Sequence, residues 1–145
     1  MNLSSELWVM GRGWRNPTRL TYNAEEERGP AWSPDGTCIV YMCRRGPIPP
    51  NGRFPTFEIC VIHADGTGEL RLANNSVPDL TPNWSLDSQR IVFHRDSSGL
   101  NDLFQINTDG TGETEDRVVH VVTRKHNPLS VWRPVGVLVD LEDAG

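Results

Sequence analysis

Short apolar runs, four or five residues long and rich in Ile, Val, Phe and Tyr, recur along the chain between clusters of Gly, Pro, Asp and Asn. Runs this short and so bounded favour β-strands over helices. No segment suggests a helix. The run Cys38-Ile39-Val40-Tyr41-Met42 is continuously apolar rather than alternating, which predicts a strand covered on both faces, as in stacked sheets. Asp-Gly steps at Asp35-Gly36, Asp65-Gly66 and Asp109-Gly110 follow or separate such runs. They predict tight hairpin turns, because glycine reaches positive φ without a steric penalty.

The pattern also repeats. GPAWSPDG at 29–36 returns as TPNWSLDS at 81–88, with Trp32 and Trp84 lying 52 residues apart, and SVWRPVG at 130–136 is a weaker third copy. An apolar run follows each of the first two tryptophans, Cys38 to Met42 and Ile91 to Phe93, so that Ile39 and Ile91 stand at the same offset. FEICVIHADGTGELRL at 57–72 matches DLFQINTDGTGETEDRV at 102–118, so the repeat unit is about 44 to 52 residues. About four short antiparallel strands per unit is the pattern of β-propeller blades, each of which buries its faces against its neighbours. A tryptophan at one fixed place in each blade is expected to fill the seam with the next. Ser88 stands where the first copy has Gly36, and a left-handed serine there costs about 1 kcal/mol.

PAWSPDG followed by CIVYM, and ICVIHADG followed by ELRLA, resemble the repeat of the TolB-type propellers, which also occurs in propeller domains of prolyl oligopeptidase-like enzymes. The resemblance implies an all-β chain of four-stranded antiparallel blades in a single domain, 1–145. Within it, 6–21 supplies outer strands of a partial blade, 30–73 is blade one, 82–119 is blade two, and 130–141 supplies inner strands of a partial blade. The third copy departs from the pattern, with Val135 in place of the aspartate. Three blades are too few to close a ring, which takes four to eight. The chain is therefore expected to be a fragment of a longer propeller, to complete a six-bladed ring as a homodimer, or to form an open stack with exposed edges.

Charge and composition narrow the partners. Lys and Arg total 14 against 19 Asp and Glu, a net charge of −5, which is the wrong sign for a phosphate-binding surface and excludes nucleic acid. No apolar run approaches the roughly 18 residues of a membrane-spanning helix, and the N-terminus lacks the order of a signal peptide. As written the chain reads as cytoplasmic; as the mature form of a TolB-type protein it would be periplasmic. Cys38, Cys43 and Cys60 show no C-x-x-C spacing and read as buried small hydrophobes, not as a disulfide or metal set.

Meander topology places the Asp-Gly turns on one rim and the longer links, 22–29, 44–55, 74–81, 95–101 and 120–128, on the other. Function is expected on the longer links. Their candidate partner-binding residues are Glu26, Arg44, Arg45, Arg53, His94, Arg95, Asp96, Arg124 and His126, a mixed-charge set suited to a protein partner. The plainer reading is solvated loops. Each Asp-Gly-Thr-Gly turn offers one carboxylate, too few for calcium. Of the four histidines, His63 falls on the turn rim, and no motif gathers His94, His120 and His126 into a metal site. No metal, no cofactor and no catalytic residue is expected, and no G-x-S-x-G elbow is present. The chain thus reads as a non-catalytic protein-binding module whose partner, by resemblance, is an envelope lipoprotein or translocation component. The competing reading is enzymatic: a metal-dependent polysaccharide lyase, or the gating propeller of a prolyl oligopeptidase-like serine hydrolase.

Overall fold

The computed structural model describes residues 5–11, 15–23, 25–44, 56–97 and 100–116. Their strands are β1 (Trp8–Gly11), β2 (Arg15–Arg19), β3 (Glu27–Trp32), β4 (Cys38–Arg44), β5 (Phe57–His63), β6 (Leu70–Arg71), β7 (Asp79–Trp84), β8 (Arg90–Ser97), β9 (Leu100–Asn107) and β10 (Thr114–Asp116). No helix occurs among the described residues. The strands pair antiparallel, each with its sequence neighbour, into a hairpin β1-β2 and two meanders, β3-β4-β5-β6 and β7-β8-β9-β10. They form no closed ring.

The two four-stranded sheets repeat each other residue for residue in their first hairpin. Glu27 faces Cys43, Arg28 faces Met42, Ala31 faces Val40 and Trp32 faces Ile39. Asp79, Leu80, Asn83 and Trp84 face Arg95, His94, Val92 and Ile91 in the same way. The register shift falls at the same place in both sheets, where Gly29 has φ 57° and Thr81 has φ 51°. Glycine tolerates that conformation, whereas a β-branched threonine is strained by it.

The expected link over 95–101 is mostly strand, because β8 runs on to Ser97 and β9 begins at Leu100. Reading the strand only as far as its apolar residues ended it too early, since the backbone ladder does not require apolar side chains. The N-terminal strand pair, expected within 6–21, forms over Trp8–Gly11 and Arg15–Arg19.

Four of the hairpin turns among the described residues share one construction. Gly36 N donates to Ser33 O at 2.9 Å, and Gly66 to His63, Ser88 to Ser85 and Gly110 to Asn107 repeat it. The turn aspartate clamps the loop: the Asp35 carboxylate accepts from the Ser33 hydroxyl at 2.6 Å, the Thr37 hydroxyl at 2.8 Å and the Thr37 amide at 3.0 Å. Hydrogen bonds of this kind hold the carboxyls of Asp35, Asp65, Asp87 and Asp109 below the usual aspartate value. The last residue of each turn is left-handed, and at Ser88, φ 58°, it is not glycine. Replacing Ser88 by Gly is expected to stabilise the chain by about 0.5–1 kcal/mol. Loss of the exposed bond from Asp35 N to Ser88 Oγ offsets part of the gain. A denaturation midpoint that falls in Ser88→Gly would contradict this.

Two apolar layers hold the sheets. Val40, Ile59, Val61 and Leu72 from the first meander meet Trp84, Ile91, Phe93 and Ile106 from the second. On the opposite face of the first meander, Ile39, Tyr41, Cys43, Cys60 and Ile62 pack with Leu7 and Leu20 from the N-terminal segment. Alternate residues of β4 and β5 thus serve different layers, which explains their unbroken apolar sequence.

The tryptophans behave differently from one another. Trp84 is 3% exposed and its indole N–H donates to Ala31 O across the seam at 3.0 Å. Trp32, expected to fill an equivalent seam, is 51% exposed. The indole of Trp84 reaches back onto the preceding sheet; among the described residues only the two-stranded hairpin β1-β2 precedes β3.

The cysteines differ from the expected set. Cys43 and Cys60 are fully buried, as expected of small hydrophobes, but they form a disulfide with a Cα–Cα distance of 5.9 Å. Cys43 lies opposite Glu58, and Cys60 opposite Tyr41, so the two are diagonal neighbours on one face, within bridging reach. Cys38 is free.

Candidate functional site

The most structured charges lie at the rim where one sheet hands over to the next. Glu6, Arg19, Asn23 and Glu27 recur 52 residues on as Glu58, Arg71, Asn75 and Asp79. Arg19 Nη2 contacts Glu6 Oε1 at 2.7 Å, and Arg71 Nη2 contacts Glu58 Oε1 at 3.0 Å. Both arginines also donate Nε–H to the backbone two residues on, to Thr21 O and Ala73 O. Asn23 Nδ2 donates to Glu27 at 2.9 Å and Asn75 Nδ2 to Asp79 at 2.8 Å. Each asparagine oxygen accepts an amide two residues on, at 2.8 Å, a side-chain turn that fixes the link. Each node therefore ties the outer strand of one unit to the first strand of the next.

Each node has its own variations. Glu27 also accepts from the Leu7 amide and the Thr21 hydroxyl. Burial pushes its carboxyl above the usual value against these bonds. Asp79, fully buried, accepts from Arg95 Nε at 2.7 Å and Nη2 at 3.0 Å. Glu113 grips the same guanidinium at 2.6 and 3.0 Å, and Arg95 stacks 4.2 Å over the Phe104 ring. With its side chain 11% exposed, Arg95 cross-links β7, β8 and the segment leading into β10.

Glu58 is 1% exposed, and its Oε2 has no hydrogen-bond partner among the described residues. Burial raises its carboxyl to about 7, against the pull of Arg71, with the Asp79 charge adding to the rise. The folded chain thus holds this proton more tightly than the unfolded chain, whose glutamate titrates near 4.5. The stability contributed is complete below about pH 4.5 and is lost as pH climbs through about 7. Glu58→Gln should match the parent near pH 5 and exceed it by about 1–3 kcal/mol at pH 8. Urea unfolding at the two pH values measures this, and an equal difference at both would contradict it.

The expected partner-binding residues separate into groups. Glu26 Oε1 accepts from Arg28 Nε at 2.7 Å, and Glu26 O accepts from Arg44 N at 2.9 Å. Arg44 is half-buried, with no partner for Nε among the described residues. Asp96 N donates to Pro78 O at 3.0 Å, so Asp96 takes in the second meander the place that Arg44 has in the first. Arg95 belongs to the node above. His94 sits apart, its Nδ1 2.8 Å from the Thr81 hydroxyl. Arg45, Arg53, Arg124 and His126 lie outside the described residues. His63 ends β5 beside the turn, as expected, and His120 lies outside the described residues. Among the described residues no three His, Cys, Asp or Glu gather as metal ligands.

Two concavities lie among the described residues. One, about 360 Å³, lies by the turns, between Thr37, Cys38, His63 and Asp65. The other, about 280 Å³, is lined by Thr81, Pro82, Asn83, Val92, His94 and Leu103. The buried acids Glu27, Glu58 and Asp79 were missed in reading the sequence, because charge was sought on loops. The 52-residue offset, carried beyond the tryptophans, reveals all four node positions.

No family model matches the chain, and no curated protein matches it. Solved structures do. The chain is similar to a putative TolB from Agrobacterium tumefaciens, at 20% identity and a TM-score of 0.60 over 76% of this chain and 40% of that one. It is also similar to TolB from Acinetobacter baumannii, at 14% identity and a TM-score of 0.59 over 79% of this chain and 26% of that one. The fold is therefore that of a TolB-type β-propeller, and the chain spans less than half the length of either structure. No helix among the described residues is long and apolar enough to cross a membrane.

Proposed function

We propose that the chain is a non-catalytic propeller module that binds a protein partner through the rim carrying its longer links. The observation that supports this reading is the division of its charges. Glu58, Asp79 and Arg95 are spent inside the nodes that fix the sheets, whereas Glu26 and Asp96 remain half-buried at the rim with Arg28 exposed beside Glu26. Charges of both signs on a rigid support favour recognition of a complementary protein surface. Propellers host many functions, so the TolB likeness supports the interaction class and leaves the partner open. The Cys43–Cys60 bridge favours an oxidising compartment, which agrees with the periplasmic alternative. Nothing among the described residues supports completion of a six-bladed ring by two copies.

The test is affinity capture from an extract of the source cells with three baits: the parent chain, a Glu26→Lys, Asp96→Lys rim variant, and an Asp65→Lys turn-rim control. A protein retained by the parent and the control but lost from the rim variant supports the reading. Equal retention by all three, or none by any, contradicts it.

A further inference from the structure

The two nodes match in position but not in charge balance. Each sets two carboxyls near enough to repel, Glu6 beside Glu27 and Glu58 beside Asp79. Asp79 faces Arg95, which donates to both its oxygens, whereas Glu27 faces Cys43. In the second node the Asp79 charge is thus compensated and the cost of burial falls on Glu58; in the first it falls on Glu27. Glu58 is also only half partnered. Its Oε1 meets Arg71 Nη2 at 3.0 Å and accepts from the Asn75 amide at 3.3 Å, while Oε2, in a side chain 1% exposed, has no partner among the described residues. A carboxylate oxygen left dry is costly, so ionised Glu58 favours a state in which water reaches it.

The segment placed to yield is the link 74–78, which joins β6 to β7 and is fastened at this node. Asn75 donates to Glu58 through its amide and to Asp79 through its side chain at 2.8 Å, and the Val77 amide donates to the Asn75 oxygen at 2.8 Å. Pro78 O in turn accepts from the Asp96 amide at 3.0 Å. None of residues 74–78 is buried, so their release uncovers no core.

We propose that Glu58 works as a proton-operated latch: its neutral carboxyl keeps the link fastened, and its ionisation frees the link and with it the tie to Asp96. The charged groups facing Glu58 are Arg71 on β6 and Asp79 on β7, with Arg95 of β8 and Glu113 behind Asp79. On β4 it faces Cys43, whose sulfur is in the bridge, and Glu27 of β3 lies beyond. In the closed node the Glu58 carboxyl titrates at about 7, and with the link open and water at Oε2 it returns toward 4.5. Closure is therefore complete below about pH 4.5 and weakens as pH climbs to about 7. The inference does not depend on the rim binding a partner, since its test reads the link itself.

Amide hydrogen exchange on the full chain tests this, with rates corrected for the intrinsic effect of pH. Between pH 5 and 8 the protection of Val77 and Asp96 should fall on the order of 10- to 100-fold. It should start below that of the β4-β5 ladder, which opens only with the whole sheet. The fall should level off as Glu58 finishes ionising, read from its carboxyl carbon resonance, and should vanish in Glu58→Gln. Protection that does not change with pH in the parent overturns the latch, as does a fall that survives in Glu58→Gln. Val77 and Asp96 exchanging only as slowly as the ladder also overturns it, because the proton then acts on the whole fold. Should Glu58→Gln fail to fold, the parent decides alone: a fall that continues beyond the ionisation of Glu58 overturns the proposal.

Discussion

Trp84→Ala is expected to destabilise the chain by about 3–5 kcal/mol, and Trp32→Ala by less than about 1 kcal/mol. The two residues hold the same place in the repeat and differ in what covers them. Trp84 is buried among Val40, Ile59, Val61 and Leu72 from one sheet and Ile91, Phe93 and Ile106 from its own. Truncation removes most of its apolar surface from the seam, opens a cavity between two sheets that cannot collapse onto each other freely, and leaves Ala31 O without the indole donor. Trp32 loses only contacts that water already shares. Trp84→Phe separates the terms: most of the packing stays, the hydrogen bond goes, and about 1 kcal/mol should be lost. Denaturant unfolding of the three variants measures these differences, and equal losses for the two alanine variants would contradict the account.

Breaking the Cys43–Cys60 bridge is expected to cost about 3 kcal/mol, the loop-closure entropy of a loop of roughly this length. The sequence separation is 17 residues. The loop contains 45–55, the longest stretch between paired strands, so the bridge restrains the unfolded chain where the β4-β5 ladder must otherwise close it. Both sulfurs are buried on the face that receives Leu7 and Leu20. A Cys43→Ala, Cys60→Ala variant should therefore keep the sheet order while its urea midpoint falls, and reductant should lower the parent to the same value. A parent midpoint indifferent to reductant would show that the bridge contributes nothing.

Much of the architecture was legible because a repeat states the same answer twice. The apolar run of β4 announced a strand covered on both faces, and the Asp-Gly steps announced turns whose left-handed glycines are at 36, 66 and 110. The disulfide was hidden because it depends on register. Only once Cys43 faces Glu58 and Cys60 faces Tyr41 do two cysteines in separate strands become diagonal neighbours. Arg95 and Asp96 read as loop residues in the sequence because charge suggests solvent, yet Asp79 and Glu113 draw Arg95 into the sheet. Trp32 was expected to match Trp84, but burial of an indole requires a neighbouring sheet as well as a motif. Sequence alone puts Glu26 and Arg44 on the same rim; it could not show that the carboxyls raised by burial, at Glu27 and Glu58, lie in the nodes beneath.

Nuclear Overhauser contacts from the Trp84 indole test the packing most directly. The expected result is cross-peaks to the methyl groups of Val40, Ile59 and Val61, which join Trp84 in one layer only when the two meanders lie face to face. An indole that shows cross-peaks only within β7 and β8, with none to the first meander, would mean that the two sheets are not packed on one another.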